Sequence, residues 1–130
     1  MPFRSLDFVY TPSRDVARDL AYFVERLGAE PVFAIEAFGT RVAMVRLSDE
    51  GPGFLLAGHL EGDVPVLVYR VDDLEGEIET LDAEVEARFE TLYGPCAAVA
   101  VPGSGRVVIY ERTRPEADQR LGGRMDFEAG

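Results

Sequence analysis

The chain has 130 residues, 47% hydrophobic and 28% charged, a globular composition that excludes disorder and suits one domain with one ordinary core. Its 24 acidic and 13 basic residues give a formal net charge of −11, a field that repels phosphate backbones and anionic membrane surfaces, so no nucleic-acid or membrane partner is expected. One cysteine excludes an internal disulfide, and with no apolar run near the roughly 20 residues of a membrane span and no apolar leader after Met1, the expected compartment is the cytoplasm.

In chain order, residues 5–11 are rich in β-branched and aromatic types and stop at Pro12-Ser13, the pattern of a strand. Val16, Leu20, Phe23 and Leu27 then recur at i, i+4, i+7 and i+11, which predicts a helix from residue 13 or 14 to 27, with Gly28 as its left-handed stop. Three strands are predicted at 31–38, 40–48 and 53–60, punctuated by Gly39 and by Asp49-Glu50-Gly51-Pro52-Gly53. The same order then recurs. Residues 64–71 read as a strand with Pro65 near its start, where a missing amide donor is tolerable. Asp72 or Asp73 caps a second helix with the stripe Leu74, Ile78, Leu81 and Val85, and its acidic face of Glu75, Glu77, Glu79 and Asp82 reads as solvated. Strands follow at 86–92, 96–101 and 106–112, divided by Gly94-Pro95 and by Pro102-Gly103-Ser104-Gly105. The latter lacks the Lys and following helix of a phosphate cradle and reads as a hairpin turn. Residues 116–130 are polar and Gly-containing, expected to be a loose tail or to pack on a partner subunit.

The organisation is therefore one domain over 1–115, with module one at about 5–60 and module two at about 64–112, followed by the tail. Asp15 and Asp73 hold similar places at the two helix starts, and Val9-Tyr10 resembles Val68-Tyr69. Cys96, inside Cys96-Ala97-Ala98-Val99-Ala100-Val101, reads as a small buried hydrophobe rather than a nucleophile.

Three stretches carry a family resemblance: Leu6-Asp7-Phe8-Val9 with Asp15, Ala21-Tyr22-Phe23 and Leu27-Gly28; Tyr69-Arg70-Val71-Asp72-Asp73-Leu74; and Pro102-Gly103-Ser104-Gly105-Arg106-Val107-Val108-Ile109-Tyr110-Glu111. In their order and spacing the chain, over about 5–112, resembles the vicinal oxygen chelate superfamily of glyoxalases, bleomycin-resistance proteins and extradiol dioxygenases. The resemblance implies an α+β fold in which two βαβββ modules form a curved mixed sheet with a concave pocket and helices on the convex side. It also implies a divalent metal held by His, Gln or Glu from the first and last strands of each module. Those positions fall on Phe8, Leu56, Val66 and Val108, none of which can donate an electron pair. Shifting the register offers Asp7, His59 and Glu111, but no single shift recovers four ligands. No metal and no cofactor are therefore expected.

Strand alternation divides the side chains between the helix-packed face and the bowl. The bowl face is expected to hold Phe8, Tyr10, Met44, Leu56, Val66, Val68, Arg106, Val108 and Tyr110, the apolar and aromatic lining of a small-molecule pocket with a few polar tips. The same residues could instead fill the bowl or form a subunit interface. The lone histidine, His59, is a catalytic candidate with Glu111 at a corresponding strand end, or a solvent-facing residue without a partner. Two principal readings stand: a metal-independent protein that binds an apolar or aromatic small molecule, and a lyase, isomerase or dioxygenase using displaced ligands such as His59 and Glu111. An interaction module is a third. A homodimer is the expected assembly.

Overall fold

Alternating β-branched and aromatic residues form β1 (Ser5–Pro12), and Ser13 then turns the chain into α1 (Val16–Glu25). The computed structural model describes every residue except Phe38 and Ser104, and describes Gly105 and Arg106 by their backbone alone. The end of the expected 31–38 strand, the centre of the expected turn at 102–105 and the expected role of Arg106 therefore lie outside the described residues. The order continues with β2 (Glu30–Ala37), β3 (Thr40–Arg46), β4 (Gly53–Ala57), β5 (Val66–Val71), α2 (Leu74–Leu81), β6 (Val85–Glu90), β7 (Pro95–Val101), β8 (Gly105–Glu111) and the short α3 (Ala117–Leu121). The fold is α+β and the strand–helix–three-strand order occurs twice, as expected. Its contacts divide into two compact units, one of residues 8–65 with 118–130, the other of residues 1–7 with 66–117.

In module one the strands run in the order β2-β3-β4-β1, with β1 parallel to β4 and the other pairs antiparallel. The Asp15 carboxylate caps α1 by accepting the Arg18 amide at 3.2 Å, satisfying one of the donors a helix start leaves bare. The buried Ser13 donates its hydroxyl to Asp19 at 2.5 Å. The helix ends two residues earlier than its apolar stripe predicts. Gly28 takes φ of 69° and the Ala29 amide returns to the Phe23 carbonyl at 3.0 Å, so Leu27 falls in the turn and stays 50% exposed. Val16, Ala17 and Leu20 press onto Ala34, Ala43, Val45 and Leu56, which form the core beneath this helix.

The other face of the same sheet is set by register. Met44 stands beside Leu55 and Phe33, Tyr10 beside Leu55, and Phe8 beside Gly53. A Cβ on Gly53 would come within 2.6 Å of the Met44 sulfur, so the missing side chain is what lets Met44 lie across β4. The Phe8 and Tyr10 rings meet edge to face at 6.3 Å.

Module two orders its strands β5-β8-β7-β6, with β5 parallel to β8 and the rest antiparallel. The strand expected from residue 64 begins at Val66, because Pro65 offers no amide, and Val64 is left exposed. Asp73 caps α2 through the Gly76 amide at 3.2 Å, and α2 closes at Asp82 in the left-handed conformation. Val71, Leu74, Ala97 and Ile109 form the core beneath α2, with Phe3 and Tyr69 packed against it, their rings 5.3 Å apart.

The segment after Glu116 is not loose. Leu121 and Phe127 are buried, and residues 123–126 bond to β2, because two apolar side chains offset the cost of ordering a short, otherwise polar stretch. No helix among the described residues is long and apolar enough to cross a membrane.

Candidate functional site

β1 carries one charged residue in eight, Asp7, and β5 carries one in six, Arg70. An isolated charge in an apolar strand is costly unless it is paired. In the unit holding residues 1–7 and 66–117 both are paired with each other and with β8. The Tyr110 hydroxyl donates to Asp7 Oδ2, the Ser5 hydroxyl donates to Oδ1, and Arg70 Nε lies 3.9 Å from Oδ2. The parallel register of β5 and β8 sets Arg70 directly beside Tyr110. Tyr110 is fully buried, whereas Asp7 keeps 19% and Arg70 42% of its side chain exposed.

Burial first, then the hydrogen bond and charge of Asp7, push the Tyr110 phenol well above its ordinary value, against an opposing effect of Arg112. Tyr110 is thus a neutral hydrogen-bond donor at any physiological pH. The cluster joins a carboxylate acceptor, two hydroxyls and a guanidinium, with its charged members reaching solvent. That combination can hold a polar or anionic group of a ligand.

Around this cluster module two is apolar. Val68 stands beside Val108, and both are buried on the face away from α2, with Tyr110 two residues further along. Val66, at the start of β5, is half-buried. In module one, Phe8 and Met44 lie buried on the face away from α1, and Tyr10 is half-buried there. Leu56 departs from expectation. It pairs with Thr11 and Ala43 and belongs to the core beneath α1, while Leu55, paired with Tyr10 and Met44, takes the place expected of it. A shift of one residue reverses every side chain of a strand, and the expected register was off by one here.

His59 and Glu111 occupy separate local settings. His59 is exposed in the turn after β4. Glu111 pairs with Val71 on the α2 side of its sheet, and its carboxylate accepts the Leu74 amide at 3.0 Å, an extra cap on α2. Cys96 is buried, and burial raises its thiol to about 12, with Thr91 acting weakly the other way, so it stays protonated and packs as a small hydrophobe.

The divalent metal that the resemblance implies does not fit these residues. Phe8, Leu55 or Leu56, Val66 and Val108 end in hydrocarbon, and among the described residues no three of His, Cys, Asp and Glu converge. Two clefts open to solvent elsewhere. One, of about 310 Å³, lies among Ser13, Asp15, Glu36, Thr40, Arg41 and Gly58 of module one. The other, of about 370 Å³, lies among Leu74, Arg88, Phe89, Cys96 and Glu111 of module two.

The Asp7 cluster was only partly visible in the sequence, where Asp7 entered as a displaced metal ligand and Tyr110 as a hydroxyl facing the bowl. Ser5 and Arg70 were missed as its members. The available signal was the lone charge in each of two neighbouring apolar strands.

No family model matches the sequence, and no curated protein matches it. Solved structures do. Methylmalonyl-CoA epimerase from Mycobacterium tuberculosis is 17% identical, with 86% of this chain and 90% of that one covered at a TM-score of 0.66. A variant of the Streptomyces coelicolor epimerase, in complex with 2-nitronate-propionyl-CoA, is 12% identical over 85% of this chain and 99% of that one, at 0.64. A mutant glyoxalase I from Zea mays is 15% identical over 86% of this chain and 44% of that one, at 0.60. At these identities the likeness establishes the fold.

Proposed function

We propose that this chain, which carries the vicinal oxygen chelate fold, is a metal-independent small-molecule-binding protein of the glyoxalase/bleomycin-resistance type, working as a homodimer in the cytoplasm. Its ligand is mainly apolar or aromatic and bears one polar or anionic group. The observation that carries this reading is hydrocarbon at every expected metal-ligand position, with the polar cluster Ser5–Asp7–Arg70–Tyr110 in the unit of residues 1–7 and 66–117. In the unit that holds the cluster, Val66, Val68 and Val108 supply apolar contact. Arg70 meets the anionic group, Asp7 pairs with Arg70, and Tyr110 and Ser5 hold Asp7. The Streptomyces coelicolor epimerase binds 2-nitronate-propionyl-CoA on the same fold, which makes a small organic ligand the natural class to try first.

Because Val68 and Val108 are closed to solvent, a ligand must part them on entry. The test joins elemental analysis of protein purified without chelator or nickel to a thermal-shift screen of aromatic and branched acyl carboxylates. The reading predicts no stoichiometric metal. It also predicts a hit that stabilises by about 2.7 kcal/mol at a hundredfold excess over its Kd, with the shift lost in Arg70→Ala. About one tightly held divalent ion per chain would instead support a lyase, isomerase or dioxygenase with displaced ligands. That alternative is disfavoured by the engagement of the Glu111 carboxylate at the start of α2.

A further inference from the structure

The polar cluster of module two extends one residue past the end of β8. Arg112 follows Glu111 and donates from its guanidinium to the Tyr110 hydroxyl. Burial first, and then Asp7, raise the phenol, and the charge and hydrogen bond of Arg112 oppose them. The same guanidinium lies over the ring of the fully buried Tyr93, 5.6 Å from its centroid. The backbone just beyond is fixed as well, because the Tyr93 carbonyl accepts the amides of Thr113 and Arg114 at 3.1 and 3.0 Å. A ring, a hydroxyl and two backbone bonds place Arg112 in advance of any ligand.

Arg70 approaches the same carboxylate–phenol pair from β5, its Nε 3.9 Å from Asp7 Oδ2. Asp7 and Tyr110 thus join two guanidiniums. Two cations against one carboxylate leave this group one positive charge in excess, in a chain whose formal net charge is −11. The Arg4–Asp72 pair, within reach of the Arg70 charge, is neutral in sum. Arg70 keeps 42% of its side chain exposed and Arg112 is half-buried, so an anion can reach both from solvent. A guanidinium presents a planar fork that matches the oxygens of a carboxylate. One carboxylate balances the excess charge, whereas a phosphate monoester, at about −1.5 to −2 near neutral pH, overbalances it.

We infer that Arg70 and Arg112 form a two-arginine seat for a single carboxylate, and that the ligand is an apolar or aromatic monocarboxylate. The inference rests on the small-molecule reading above and adds to it a second arginine and the charge of the ligand. Arg112 is a binding residue, and Tyr110 and Asp7 position the two guanidiniums on either side of the bound group.

The test is a set of ligand-observed NMR titrations of the full chain and its Arg112→Gln, Arg112→Lys and Arg70→Ala variants, with circular dichroism to confirm folding. The probes are benzoate, its neutral isostere benzamide, and phenyl phosphate. The wild-type chain should bind benzoate about tenfold tighter than benzamide, and tighter than phenyl phosphate. Arg112→Gln should weaken benzoate by about tenfold and leave benzamide unchanged. Arg112→Lys, which keeps the charge and loses the fork, should fall between, and it decides by the same comparison if Arg112→Gln does not fold. Benzoate and benzamide weakened alike would make Arg112 a packing residue and overturn the inference. Benzoate lost in Arg70→Ala but retained in Arg112→Gln would overturn it while leaving the small-molecule reading intact. Phenyl phosphate preferred over benzoate, or none of the three bound by the wild-type chain, would also overturn it, and the wider thermal-shift screen then decides the small-molecule reading separately.

Discussion

Tyr110→Phe is the most informative single substitution. It removes one oxygen from a fully buried ring and leaves the ring's packing against its neighbours unchanged. The lost contact is a phenol donating to a carboxylate, and a hydrogen bond to a charged group contributes about 1.5–3 kcal/mol. Asp7 is not orphaned, since Ser5 still donates to it and Arg70 remains 3.9 Å away, with 19% of the carboxylate side chain in water. The expected cost is therefore near the lower part of that range, about 2 kcal/mol. For a chain of this length the unfolding entropy is about 270 cal/mol/K, so the midpoint should fall by about 7 °C. Asp7→Ala removes the carboxylate that accepts from the buried phenol and should cost a similar amount, while the double variant should cost at least about 1 kcal/mol less than the two together. Urea and thermal unfolding followed by circular dichroism measure all three. A Tyr110→Phe cost below about 0.5 kcal/mol, with additive behaviour in the double variant, would refute the coupling on which the candidate site is built.

The same phenol predicts an alkaline signature. Its value is raised above the ordinary 10.0, so its contribution is complete below that pH and is lost as pH climbs beyond it; a phenolate absorbance titration should lose a late component in Tyr110→Phe. Gly94→Ala should be among the most damaging changes, because the new Cβ would lie 1.9 Å from the Glu111 carbonyl oxygen. A loss of about 3 kcal/mol or more, read as a collapsed midpoint or failure to fold, is expected. Glu111→Ala should cost about 1 kcal/mol through the lost cap on α2 and leave metal content and ligand affinity unchanged, measured by unfolding and elemental analysis. His59→Ala, in an exposed turn, should change stability by no more than about 0.5 kcal/mol in the same assay.

Much of the fold was legible because its signals are local. Period-2 alternation, the stripe Val16-Leu20-Phe23 and the caps Asp15 and Asp73 are written into neighbouring residues, and each reports on a few turns of backbone at a time. Their repetition in the same order was enough to recover two βαβββ modules, and the loss of metal donors followed from residue chemistry whichever leucine of β4 faced inward.

What the linear chain could not supply was register and long-range pairing. Whether Leu55 or Leu56 faces α1 depends on how β4 aligns with β1 and β3, and one residue of slip exchanges them. The meeting of Asp7 with Tyr110 joins positions 103 residues apart, which no spacing rule encodes. The segment around Phe127 read as a loose tail or a partner-subunit contact because its own composition is polar, and it is ordered by the edge of β2 and a pocket made by residues far from it in sequence. By itself the sequence determined the two strand–helix–three-strand runs, though not α3, and that the side chains at the expected ligand positions cannot donate to a metal. Tertiary structure alone decided which side chains meet, because burial and hydrogen bonding are properties of neighbours in space.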